Sequence, residues 1–131
     1  MPVGDETILL VEDSAEIRDL ARQLLHKQGY TVLEARSSQE GLQIAADFPD
    51  TIHLLLTDVV LPDKSGKVLA EELAELRPGV KILYMSGYPD NAIAHHGVLD
   101  PGLALLQKPF NPMALARQVR AVLDASPRSN A

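Results

Sequence analysis

Five positions in this 131-residue chain hold side chains that could do chemistry together. Glu12 and Asp13 are adjacent acids, Asp58 is a third, Ser86 offers a hydroxyl and Lys108 an ammonium. Each follows a short apolar run. Three carboxylates brought together repel one another, and each then tends to keep its proton. A hard divalent cation relieves that repulsion, and oxygen donors with room for water suit Mg2+. One carboxylate is then available as a nucleophile toward phosphorus. The cation and Lys108 would neutralise charge on the phosphoryl oxygens in the transition state, and Ser86 would donate a hydrogen bond to one of them. The chemistry these residue types support is phosphoryl transfer to a carboxylate.

Taken singly, each residue has a plainer reading. Asp58 would end a strand, Asp13 would cap a helix with Glu16 three residues on, Ser86 would terminate a strand, and Lys108 would sit on the surface. The paired His95-His96 point in different directions on a helix and are poorly placed to share an ion. The site reading rests on the acids, hydroxyl and lysine recurring at successive strand ends.

The elements that must position them alternate along the chain. Thr7–Val11 is apolar and β-rich, as a strand buried on both faces should be. Ile17, Leu20, Ala21, Leu24 and Leu25 mark one face of a helix between Ser14 and Gln28, with Gly29 at its exit. Thr31–Ala35 is a second strand, and Ser37 with Glu40 forms a capping box for a helix that Pro49 ends. His53–Thr57 is the third strand. After the turn residues Pro62-Asp-Lys-Ser-Gly66, a helix with Leu69, Leu73 and Leu76 on one face runs to Arg77-Pro78-Gly79. Lys81–Met85 is the fourth strand, Asp90 to Val98 a short helix, and Ala104–Gln107 the fifth strand. Asn111 caps a last helix with Pro112 at its first position and Leu115, Val119, Val122 and Leu123 inward. The pattern is (βα)5, and connections of this length imply parallel strands. Carboxyl ends of parallel strands share one edge, so the five positions converge there.

Composition narrows the function classes. Eighteen Asp and Glu against 12 Lys and Arg leave a formal net charge of −6, which disfavours binding to a phosphate backbone. No apolar run approaches the ~18 residues of a membrane span, and no signal-peptide pattern follows Met1. With no Cys there is no disulfide framework and no thiolate metal site. A cytoplasmic protein without membrane or nucleic-acid contact is the expectation.

The chain resembles a receiver domain of a two-component response regulator. The resemblance lies in Ile8-Leu-Leu-Val-Glu-Asp13, Leu56-Thr-Asp58-Val-Val-Leu-Pro62 with Gly66, Met85-Ser-Gly87 and Lys108-Pro-Phe110. These motifs cover nearly the whole chain in order. The resemblance implies a flavodoxin-like doubly wound α/β fold with a five-stranded parallel sheet in the order 2-1-3-4-5. It implies a single receiver domain over 1–131, with its core at about 6–125 and a frayed tail at 126–131. Asp58 would accept the phosphoryl group. Glu12, Asp13, Asp58 and the backbone carbonyl of Val60 would hold Mg2+, or Mn2+ in its place. Ser86 and Lys108 would contact the phosphoryl group. The partner would be a histidine kinase, a histidine phosphotransfer protein, or both, and a homodimer is a family option.

Gly4–Asp13, Met85-Ser-Gly-Tyr88 and Leu106-Gln-Lys-Pro-Phe110 are further similar to the C-terminal receivers of hybrid sensor histidine kinases. The chain would then be part of such a kinase, and the alternative is a stand-alone single-domain regulator. As a lone domain it would promote only its own phosphorylation and dephosphorylation. The family usually has Tyr or Phe three residues before the lysine. Here Leu105 takes that place, so an aromatic switch cannot run through it, and Tyr84 and Tyr88 are the aromatics nearby.

Three other functions fit less well. An aspartyl phosphatase of the haloacid-dehalogenase type would have a second acid where Val60 stands. A phosphorylation-independent interaction module would have lost an acid or the lysine. A flavin or nucleotide carrier would need a phosphate-cradling loop where Glu12-Asp13 stand.

Overall fold

The computed structural model describes residues 4–61, 63–86, 105–107 and 110–124. Its five strands are β1 (Thr7–Val11), β2 (Thr31–Ala35), β3 (Leu54–Asp58), β4 (Lys81–Ser86) and β5 (Leu105–Gln107). The helices among the described residues are α1 (Ala15–Lys27), α2 (Ser38–Asp47), α3 (Gly66–Leu76) and α4 (Pro112–Asp124). All strand pairs are parallel, in the order β2-β1-β3-β4-β5. The doubly wound α/β expectation therefore holds, strand order included. The helix expected over 90–98, the start of the fifth strand at Ala104, His95, His96, Tyr88, Lys108 and the tail at 126–131 lie outside the described residues.

β1 and the Leu54–Leu56 run of β3 are apolar and buried on both faces because helices cover both, whereas the edge strand β2 leaves Thr31 and Glu34 exposed. Leu9, Val11, Leu55 and Tyr84 pack on one side with Ala45, Leu69 and Leu73 from α2 and α3. Ile8, Leu10, Leu54, Leu56, Leu83 and Met85 alternate with them and face Ala21, Leu25, Leu115 and Val119 of α1 and α4. Successive strand residues point to opposite faces, so a continuous apolar run supplies two cores at once.

Three local expectations need correction. Ser14, not Asp13, caps α1, its side chain accepting from the Ile17 N–H. Asp13 is thus left to face the sheet edge. Leu20 and Leu76 are 47% and 52% exposed, although their spacing placed them with the inner faces. Neither reaches the sheet: α1 is buried through Ala21 and Leu25, and α3 through Leu69, Ala70 and Leu73. β3 begins at Leu54 and includes Asp58, so the acid is the strand's last residue. His53 stands just before it and joins its neighbours through the main chain, donating to the Thr7 carbonyl at 2.9 Å and accepting from Lys81 N–H at 3.0 Å.

The lower edge of the sheet carries its own fastening. Arg120 of α4 donates to both carboxylate oxygens of Glu6 at 3.1 and 2.7 Å and to the Tyr30 hydroxyl at 3.3 Å. The guanidinium holds the Glu6 carboxyl down at about 2. This network lies at the strand N-termini, opposite the acidic residues.

Candidate functional site

The strand order reverses at β1, which lies between β2 and β3. That is where an open parallel sheet leaves a crevice beyond its carboxyl ends. Glu12 and Asp13 follow β1 there, and Asp58 ends β3 beside them, because the register pairs Val11 with Thr57. Glu12, Asp13 and Asp58 each place a carboxylate oxygen within 4.8 Å of the others. Glu12 is buried, Asp58 half-buried and Asp13 exposed. The cluster therefore opens outward through Asp13.

Each acid is set by its own local geometry. The Glu12 N–H donates to the Ala35 carbonyl at 3.0 Å, extending the β1–β2 ladder by one residue. One Glu12 carboxylate oxygen accepts from the Ser14 N–H at 3.0 Å, at the start of α1. The positive end of that helix favours the anion. Arg18, one turn into α1, donates to the Glu12 carbonyl at 2.8 Å and pairs with Glu34 at 3.6 Å. On β3, the fully buried Thr57 hydroxyl donates to the Asp58 carbonyl at 3.0 Å. The Val59 N–H donates to Met85 of β4 at 3.0 Å, and Gly66 N–H returns to the Val59 carbonyl at 2.7 Å. Gly66 packs its α-carbon against the Asp58 carbonyl: a Cβ there would lie 2.1 Å from that oxygen. Only glycine lets α3 start this close to the acid.

Ser86 ends β4, one residue beyond the partner of Asp58, and is 1% exposed. Val60 is 57% exposed, just past the acid. Lys108 follows β5 in the sequence and lies outside the described residues. Leu105 pairs in register with Tyr84, so the aromatic at this level of the sheet sits on β4 instead of β5. Tyr84 is 4% exposed and packs in the same cluster as Leu105.

Two residues escaped the sequence reading. Asp63, a turn residue by its sequence context, accepts from the N–H groups of Ser38 and Gln39 at 3.0 and 2.9 Å. Ser38, fully buried, donates its hydroxyl to the Lys64 carbonyl at 3.3 Å. Their partners lie about 25 residues away, so no local pattern signals them.

The family model for the response regulator receiver domain matches residues 8–120. The chain belongs to that family. This receiver domain is 36% identical over 121 residues to the sensor kinase CckA of Brucella abortus, covering 92% of this chain and 13% of that protein. It is 29% identical over 119 residues to the response regulator receiver protein CpdR of the same organism, covering 91% and 98%. Among solved structures it resembles the receiver domain of the hybrid histidine kinase CckA, with a TM-score of 0.76, 33% identity, and coverage of 90% and 99%. The receiver thus spans a small part of one relative and nearly all of another. No helix among the described residues is long and apolar enough to cross a membrane.

Proposed function

We propose that this receiver takes a phosphoryl group from the phosphohistidine of a histidine kinase onto Asp58. The observation that carries the proposal is the convergence of Glu12, Asp13 and Asp58 within 4.8 Å at the switch point of the sheet. An Asp58 carboxylate oxygen attacks phosphorus, a P–O bond forms, the P–N bond to imidazole breaks, and the imidazole nitrogen leaves with the electron pair and takes up a proton. Ser86 and Lys108 hold the phosphoryl oxygens. Water later cleaves the acyl phosphate and restores Asp58.

The donor set fits Mg2+. Carboxylate and carbonyl oxygens are hard ligands, and oxygens on one Mg2+ lie at most about 4.2 Å apart. The three acids, with oxygens within 4.8 Å of one another, stand close to that span. Glu12, Asp13, Asp58 and the Val60 carbonyl would hold the ion, with Mn2+ as a substitute, and it supplies positive charge against the phosphoryl oxygens. The chain's own part is to fix Asp58 through Thr57 and Gly66, and to hold the Glu12 carboxylate at the start of α1 through the Ser14 N–H. An aspartyl phosphatase is disfavoured by Val60, which offers no acid two residues after the nucleophile.

The added charge of about −1.5 to −2, by analogy with phosphohydroxyl groups, then alters protein contacts. The similarity to CckA supports a role inside a hybrid kinase, with relay to a histidine phosphotransfer protein. The near-complete coverage of CpdR supports the second reading, a stand-alone regulator. Either setting is cytoplasmic, and residues 1–131 act as one receiver domain with its core at about 6–125.

Incubation with acetyl phosphate and Mg2+, followed by intact mass measurement, tests the proposal. The expected result is a labile gain of one phosphoryl group, absent with EDTA and in Asp58→Asn. Steady turnover of unrelated phosphate esters favours the phosphatase, and no adduct from any donor favours an interaction module.

A further inference from the structure

The first backbone N–H groups of a helix have no partner within it. In α2 two of them are taken by a residue from another loop. Asp63 accepts from Ser38 N–H at 3.0 Å with one carboxylate oxygen and from Gln39 N–H at 2.9 Å with the other. The next two are handled locally: Ser37 takes the Glu40 N–H on its hydroxyl at 3.2 Å and the Gly41 N–H on its carbonyl at 3.0 Å. A further tie runs beside the first, from the buried Ser38 hydroxyl to the Lys64 carbonyl at 3.3 Å. The Asp63 carboxyl lies below its ordinary value, chiefly through the Gln39 N–H, with Ser38 adding to it against the cost of desolvation.

These bonds tie Asp63 and Lys64, in the loop between β3 and α3, to the start of α2. The loop leaves the sheet at Val59, tied to Met85, and enters α3 at Ser65, whose hydroxyl caps the Val68 N–H at 3.2 Å. Between these anchors, Asp63 fastens the loop sideways to α2. Val60 lies in the span from Val59 to Asp63, four residues from one tie to the next. We propose that Asp63 is a positioning residue for the divalent cation: by clamping this span to α2 it keeps the Val60 carbonyl at the rim beside Glu12, Asp13 and Asp58. The inference rests on the Mg2+ reading above. It also makes α2 a sensor of the site, because whatever tightens the loop must tighten the Asp63 clamp in equal measure.

The test compares three variants of the full chain. Asp63→Ala removes both acceptors. Asp63→Asn keeps one acceptor oxygen and serves if the alanine variant fails to fold. Ser37→Ala weakens the same helix by removing its own cap and leaves the loop untouched. Mg2+ affinity is read by calorimetry, and amide exchange at Ser38 and Gln39 by NMR with and without Mg2+. Asp63→Ala is expected to bind Mg2+ about tenfold more weakly, the usual effect of removing a group that orients a ligand, with Asp63→Asn between it and the wild type. Its rate of phosphoryl uptake from acetyl phosphate returns to the wild-type value at saturating Mg2+. Ser37→Ala melts earlier but keeps wild-type affinity. In the wild type, Mg2+ slows exchange at Ser38 and Gln39. Unchanged affinity in Asp63→Ala, or an equal loss in Ser37→Ala, overturns the inference while leaving the phosphoryl-transfer reading in place. A wild-type chain that binds no Mg2+ overturns both.

Discussion

Replacing Gly66 by alanine probes how tightly the fold holds Asp58. The new Cβ would lie 2.1 Å from the Asp58 carbonyl oxygen, 3.1 Å from its carbon and 3.2 Å from the Val59 α-carbon. All three atoms are backbone, so no rotamer relieves the overlap, and β3 and α3 must part by about 1 Å. Overpacking of this kind costs about 3 kcal/mol. Alanine regains up to about 1 kcal/mol as the better helix former. The net loss of about 2 kcal/mol lowers the unfolding midpoint of a domain this size by about 8 °C. A shift of about 1 Å at a reacting group also costs on the order of 100-fold in rate. Circular dichroism melting and the rate of mass gain from acetyl phosphate read the two effects. Gly79→Ala is the control: its φ of +94° imposes strain, but nothing lies within 4 Å of the added carbon. It should lose about 1 kcal/mol and leave uptake unchanged. If Gly66→Ala melts within about 2 °C of wild type and takes up phosphate at the wild-type rate, the packing of α3 on Asp58 does not position the acid.

Other expectations concern charge. Asp58→Asn removes one of three clustered carboxylates, so without Mg2+ it should melt at or above the wild-type temperature while forming no adduct. Mg2+ at about 100 times its dissociation constant should stabilise the wild type by about 2.7 kcal/mol in chemical denaturation, and EDTA should reverse this. Glu6 is held at about 2 by Arg120, below an unfolded value of about 4.3. Its contribution is therefore complete above about pH 5 and is lost as the pH falls toward 2. Glu6→Gln should be less stable by about 1 kcal/mol at pH 7, the pair being partly solvated, and the difference should vanish near pH 2. Arg77 donates to the carbonyl of Ala45 in the last turn of α2 and to those of Phe48 and Asp50 beyond its end. Arg77→Met should cost about 2 kcal/mol by urea unfolding without changing Mg2+ affinity.

The fold was legible because its signals are local. Apolar runs such as Ile8–Val11 and Leu54–Leu56 are buried on both faces, and Ser37 and Asn111 cap their helices through side-chain bonds to N–H groups three residues on. The capping box at Ser37 is present in altered form: Glu40 reaches back to the Arg36 N–H at 2.6 Å instead of to Ser37. Periodicity failed at Leu20 and Leu76, where a helical stripe was wider than the face the sheet covers. The acids could be read because strand ends of a parallel sheet converge by geometry, whatever their spacing in the chain. Asp63 and Arg77 could not. A turn acid and a helix-stop arginine look alike whether solvated or bonded to another element, and only tertiary contact separates the cases. Tyr84 beside Leu105 is of the same kind, since a strand's sequence does not state its neighbour's register.

The central claim is that Asp58 carries the phosphoryl group. After phosphorylation by acetyl phosphate with Mg2+, borohydride reduction converts an acyl phosphate to homoserine, and peptide sequencing by mass spectrometry locates it. The account requires homoserine at position 58 alone. Homoserine at position 13 or 63, or a phosphorylated chain that yields none, contradicts it.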